Sequence, residues 1–170
     1  MKLSLHISTS EESSNSAADS DNNPDKQKHP DINNITCILE DELISLCPYA
    51  GNFENAEISI TFMKPDEIRE LNRTYRNIDE ATDVLSFPMI DDEPVEIPEL
   101  PELALGDIVI CPEEVSRLHP ELGQEEAICL MIAHSFLHLL GYDHDTEEKQ
   151  AEMWELQDRI AARMTGRSKA

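Results

Sequence analysis

Basic residues are scarce. Only 13 lysines and arginines stand against 36 aspartates and glutamates, so the 170-residue chain carries a formal charge of -23. That balance opposes broad, non-specific attraction to nucleic acid or to an anionic membrane. It leaves room for a local basic groove, because a phosphate backbone responds to nearby charges more than to the total. The four cysteines (Cys37, Cys47, Cys111 and Cys129) include no CxxC pair, and they read as reduced, buried small hydrophobes without chemistry. Long apolar runs are missing too. The longest, Ala127 to Leu140, is interrupted by two histidines and is shorter than the roughly 20 residues a spanning helix needs. The opening "MKLSLHIS" is too short an apolar stretch for a signal peptide. These absences together predict a cytoplasmic protein with no membrane partner.

What is present is a chain of ordinary single-domain length with 39% apolar and 29% charged residues. "MKLSLHIS" and "AEISITFM" alternate as half-buried strands, and "TDVLSFP" and "ALGDIVICP" read as two more. Between the first strand and the helix "NITCILEDELISLC", residues from about 9 to 33 are rich in Ser, Asn and Asp. Such a segment buries too little apolar surface to offset its ordering entropy, so it reads as a disordered insertion. "KPDEIRELNRTYR" has a proline at its start, acidic residues in its first turn and arginines at its end, the marks of a helix. A short helix follows at "PEEVSRLH", a long one from about Glu121 to Leu140, and a last one from about Thr146 to Met164. The acidic, proline-punctuated stretch from Asp91 to Glu102 reads as a surface loop, and Trp154 as core. The class expected is α+β: a single domain with a small mixed sheet packed against helices, and a buried central helix that carries histidines.

Those histidines stand in "CLMIAHSFLHLLGYDHD". Residues four apart in a helix project within about 40 degrees of each other, so His134 and His138 share one face of an otherwise apolar helix. Each buried imidazole has two ring nitrogens to satisfy, and leaving them unpaired costs several kcal/mol. A shared metal ion resolves that cost. On a continued helix His144 would lie roughly 15 Å from His134, far beyond a bond of about 2 Å to a common ion. Gly141 removes the difficulty, because glycine past a helix end takes the left-handed conformation and lets the chain swing back. Three neutral ligands leave a fourth position open, the arrangement of catalytic rather than structural zinc. The spacing also matches the metzincin protease pattern HExxHxxGxxH, except that Ser135 stands where that class keeps its general-base glutamate. Proteolysis is thereby disfavoured.

Two long stretches carry a more specific resemblance. "HSFLHLLGYDH" is similar to the signature HGxLHLxGYDH of the YbeY family of metal-dependent endoribonucleases, also called ribosomal RNA maturation factors. "LNRTYRNIDEATDVLSFP" resembles that family's LNxxYRxxDxxTDVLSFP, and "LGDIVIC" the strand that follows. The likeness runs from about Ile58 into the last helix and departs at Ser135, where the family has glycine, and in the length of the early insertion. It implies one metallohydrolase domain over residues 1–170, with one zinc ion per chain held by His134, His138 and His144. Arg76, the arginine of the YR pair, would act in RNA cleavage. It implies a single-strand-specific endoribonuclease in small-subunit ribosomal RNA 3′ end maturation and ribosome quality control. The partners implied are single-stranded and ribosomal RNA, the small ribosomal subunit and its assembly factors, with no DNA. The competing reading is a non-catalytic ribosome-associated RNA-binding factor whose metal stabilises the fold. Lys64, Arg69 and Arg73 share the segment of Arg76 and are candidates to extend a phosphate track, with a solvated helix face as the simpler account. Asp143 is a candidate either to orient an imidazole or to hold the turn.

Overall fold

In a computed structural model, residues 1–10, 30–90 and 102–167 are described. Among these residues four strands and five α-helices follow in the order β1 (Lys2–Thr9), α1 (Ile32–Leu46), β2 (Asn55–Phe62), α2 (Pro65–Arg76), β3 (Val84–Pro88), β4 (Glu102–Ile110), α3 (Pro112–Leu118), α4 (Gln124–Leu139) and α5 (Glu147–Met164). The sheet order is β1-β2-β4-β3. β1, β2 and β4 run parallel, and β3 closes the edge antiparallel to β4. This is the mixed α+β architecture expected. The insertion anticipated at 9–33 lies mostly outside the described residues; at its two ends Thr9 closes β1 and Ile32 opens α1. The acidic stretch 91–102 is likewise described only at Glu102, the first residue of β4.

Local chemistry sets the ends of the helices. Asp31 caps α1 by accepting the amides of Asn33 and Asn34. Pro65 opens α2, where an amide at that position would have no helical partner. α2 closes at Asn77, held left-handed at φ 58. Thr146 caps α5 by accepting the Lys149 amide. α4 is apolar nearly all round and lies buried through the middle of the domain, as expected of a helix with no polar face.

One sheet face meets α1, α4 and α5 in a continuous core that includes Leu39, Ile58, Ile60, Ile108, Phe136 and Ile160. The other face carries a smaller cluster under α2, made of Ile68, Leu85, Val109 and Cys111. An irregularity in β4 joins the two halves of the first face. Ala104 pairs with Glu57 but Gly106 with Ile58, so Leu105 is an extra residue in a bulge. The bulge resets the alternation: Leu103 and Leu105 face the core before it, Ile108 and Ile110 after it. Gly106 sits at φ 141, and a β-carbon there would lie 2.2 Å from the Phe87 carbonyl oxygen and 2.9 Å from Leu139. Only glycine lets the end of α4 come this close to the sheet.

α5 is tied across the domain by an ion pair with a buried acid. Glu42 of α1, only 4% exposed, accepts Arg159 at 2.6 Å and also Arg163. Trp154 of the same helix was expected in the core and is instead half exposed. The inward stripe of α5 is Met153, Ile160, Ala161 and Met164, and one residue along from Met153 turns the tryptophan about 100 degrees away. Cys47, Cys111 and Cys129 are buried as expected, whereas Cys37 is exposed on α1. No helix among the described residues is long and apolar enough to cross a membrane.

Candidate metal centre

α4 presents His134 and His138 one turn apart, and their Nε2 atoms approach to 3.1 Å. The chain then leaves the helix through Gly141 at φ 88, with the Gly141 amide donating to the His138 carbonyl and the Tyr142 amide to the Leu137 carbonyl. This left-handed turn returns His144 to the pair. Its ring centre lies 5.8 Å from that of His134 and 5.3 Å from that of His138. One ligand atom from each of the three rings falls within 4.8 Å of the others, so the glycine turn does what the spacing predicts.

The hydrogen bonds on the far side of the rings fix the tautomers. His138 Nδ1 lies 2.9 Å from the Tyr142 carbonyl oxygen, which only accepts, so Nδ1 carries the proton. His134 Nδ1 lies 2.8 Å from the Gln157 Oε1 of α5 and donates to it in the same way. Both Nε2 atoms are then left with lone pairs pointing at each other, an arrangement that repels unless a cation lies between them. Two nitrogens on one tetrahedral ion at about 2.0–2.1 Å stand roughly 3.3 Å apart, close to the separation seen. The donor set therefore fits a metal ion. Burial, and secondarily the neighbouring rings, lower the affinity of His134 and His138 for a proton, which favours the neutral form that ligates.

Asp143 braces the turn: its Oδ1 accepts the His144 amide at 2.7 Å, while the His134 and His138 imidazoles are oriented by Gln157 and the Tyr142 carbonyl. Gln157 was not visible in the spacing, since its contact with His134 spans 23 residues and two helices. Ser135, at the metzincin glutamate position, is fully buried, and its Oγ has no hydrogen-bond partner among the described residues.

A second polar group flanks this corner. The Asp83 carboxylate accepts the Val84 amide at 2.9 Å and lies 3.3 Å from His119 Nε2 at the end of α3. Its negative charge is felt at His134. His119 also escaped the sequence reading, because no second ligand-type residue stands at helical spacing from it.

Arg76 is the last residue of α2, next to the left-handed Asn77. Arg69 is held by Asp79, Arg73 by Glu70, Arg117 by Glu114, Arg159 and Arg163 by Glu42, and Arg167 by Glu126. Arg76 alone among the seven arginines has no carboxylate partner among the described residues. Of the residues suggested for a wider track on α2, Arg69 and Arg73 are each paired with an acid, and Lys64 opens the helix with its backbone amide donating to the Glu67 carboxylate. No hydrogen bond or ion pair joins Arg76 to the three histidines.

A mixed sheet with a buried helix that offers two histidines, and a glycine turn that supplies a third, defines a protein with an open three-nitrogen metal cradle. Comparison with known proteins adds the family. The family model described as Endoribonuclease YbeY matches residues 21–165. Endoribonuclease YbeY of Clostridioides difficile (strain 630) is 44% identical over 124 residues, covering 72% of this chain and 80% of that protein. The protein of the same name from Thermoanaerobacter sp. (strain X514) is 38% identical over 148 residues, covering 82% and 93%. The chain belongs to the YbeY family. A Thermotoga maritima protein of known solution structure shares the fold with a TM-score of 0.53 at 23% identity, over 96% of this chain and 90% of that one.

Proposed function

We propose that this chain is a zinc-dependent endoribonuclease that cuts single-stranded RNA, and that it acts in the cytoplasm on ribosomal RNA during small-subunit 3′ end maturation and quality control. The observation that carries the reading is the pair of opposed Nε2 lone pairs on α4, completed by His144. The relatives' printed name supplies the substrate class, and family membership supports the ribosomal setting.

His134, His138 and His144 hold the ion. When bound, it supplies Lewis acidity towards a phosphoryl oxygen and makes nearby water more acidic. Gln157 and the Tyr142 carbonyl keep both α4 imidazoles in the ligating tautomer, and burial on the apolar helix keeps competing water from their far edges. Arg76 binds the scissile phosphate, where a guanidinium makes two parallel contacts and meets charge as it develops. Its lack of an acidic partner among the described residues matters in a chain of this charge: a guanidinium already paired to a carboxylate would have to give up that partner to bind RNA. With so acidic a chain, recruitment to the small subunit falls to an assembly partner rather than to bulk electrostatics, and binding of the isolated protein to RNA is weak.

Metal-loaded protein incubated with a labelled single-stranded RNA, beside His138→Ala and Arg76→Ala purified identically, tests this. Cleavage is expected from the wild type only, with Arg76→Ala reduced by about 10²–10³-fold while its metal content is unchanged. Cleavage equal in all three samples would reveal a contaminant. A wild type that binds RNA and one ion per chain yet never cleaves would leave the non-catalytic RNA-binding factor as the better reading.

A further inference from the structure

We propose that the outer face of the sheet, beside α2, is a base-recognition subsite that takes nucleobases bearing an exocyclic amino group and disfavours uracil. This deepens the RNA-cleaving reading and rests on it. Parallel strands are ordinarily covered on both faces and lined by branched apolar residues. Here β1, β2 and β4 are parallel, yet among the described residues the core helices close only one of their faces. On the other, α2 covers β3 and β4 through Ile68, Leu85 and Val109, and β1 and β2 present Ser4, His6, Glu57 and Ser59.

Where α2 stops covering the sheet, the described residues line an open groove of about 590 Å³, within the range of small-ligand sites. Its floor is one cross-strand row: His6 pairs with Ser59, Ser59 with Asp107, and Asp107 with Phe87. Its wall is Leu71 and Tyr75, one turn apart on α2. Tyr75 packs edge-on against Phe87 with centroids 5.1 Å apart, while 64% of its surface stays exposed. No hydrogen bond joins the Asp107 carboxylate or the Ser59 hydroxyl to another described residue. The cavity thus offers an aromatic face for stacking, an acceptor-only carboxylate and a hydroxyl that both donates and accepts.

That chemistry selects among ligands. A carboxylate repels phosphate, so the cavity does not hold the RNA backbone. It accepts from the amino groups of adenine, cytosine and guanine, whereas the single N3–H donor of uracil is flanked by two carbonyls that the carboxylate repels. Arg76, the arginine of the same helix with no carboxylate partner among the described residues, directly follows Tyr75 and is available to the backbone of the RNA whose base enters the cavity.

The test uses full-length, metal-loaded protein and four single-stranded 2′-O-methyl homotetramers, of A, C, G and U, which resist cleavage through the 2′-hydroxyl. Affinities are read by fluorescence anisotropy, and backbone amide shifts locate the contact. The U tetramer is expected to bind about tenfold more weakly than the A and C tetramers, with shifts at Ser59 and Asp107. Asp107→Asn, which adds an N–H donor for a uracil carbonyl, should remove most of that difference. Tyr75→Ala should weaken the A and C tetramers about tenfold while metal content stays at wild type. Equal affinity for all four tetramers, or shifts absent from this face, would overturn the subsite. Cleavage of ordinary RNA without base preference would sink the subsite and keep the nuclease. Preference without any cleavage would do the reverse.

Discussion

The two faces of the sheet are finished in opposite ways. Against one, three helices bury a continuous core, a bulge keeps Leu103, Leu105, Ile108 and Ile110 facing inward, and a buried acid is clamped by two arginines. Against the other, among the described residues, one short helix covers β3 and β4 and leaves serines, a histidine, a half-buried aspartate and an exposed tyrosine lining an open groove. The closed face holds two histidines in fixed tautomers at 3.1 Å. The open face has side chains free to meet a ligand. A metal centre needs groups held within tenths of an ångström, whereas a long polymeric substrate needs accessible surface, and the fold divides these demands between its two sides.

The largest effect short of removing a ligand is expected where the closed face is tightest. Gly106→Ala puts a β-carbon against the Phe87 carbonyl and against Leu139, next to His138, with a strained backbone besides. A loss of roughly 3–4 kcal/mol in urea unfolding is expected. A loss under about 1 kcal/mol would mean that β4 and α4 are packed less closely than described. Gln157→Leu keeps the volume and the helix but removes the partner of His134 Nδ1. Metal affinity should fall 10–100-fold by competition with a chelator, while far-ultraviolet circular dichroism stays unchanged. Affinity equal to wild type would show that burial alone orients the ring. The smallest effect belongs to the exposed Trp154: Trp154→Ala should change stability by no more than about 0.5 kcal/mol. A larger loss would place the tryptophan in the core after all.

The comparison also explains how much could be read in advance. The metal corner was legible because its parts lie within eleven residues, His134 to His144, where helical period and one glycine fix the geometry. The strands were legible from alternation, although the alternation of β4 hides its bulge: an extra residue is visible only against its partner strand. Gln157 and His119 were not legible, and Asp83, although inside a matched stretch, gave no sign of its contact with His119. Each reaches the site from another element, and a contact across 23 or 36 residues leaves no local period. Trp154 was misjudged because a large aromatic suggests burial, whereas its one-residue offset from the stripe of α5 decides its position. Arg76 was suggested only by the resemblance. Its lack of an acidic partner among the described residues is a property of the folded surface, since Arg69 and Arg73 look the same in sequence.

X-ray absorption at the zinc edge on metal-loaded protein, beside His138→Ala, addresses the central claim most directly. One ion per chain with three imidazole nitrogens at about 2.0–2.1 Å, lost or reduced to weak binding in the variant, is the result predicted. An oxygen-only shell, or zinc bound equally well after His138→Ala, would contradict it.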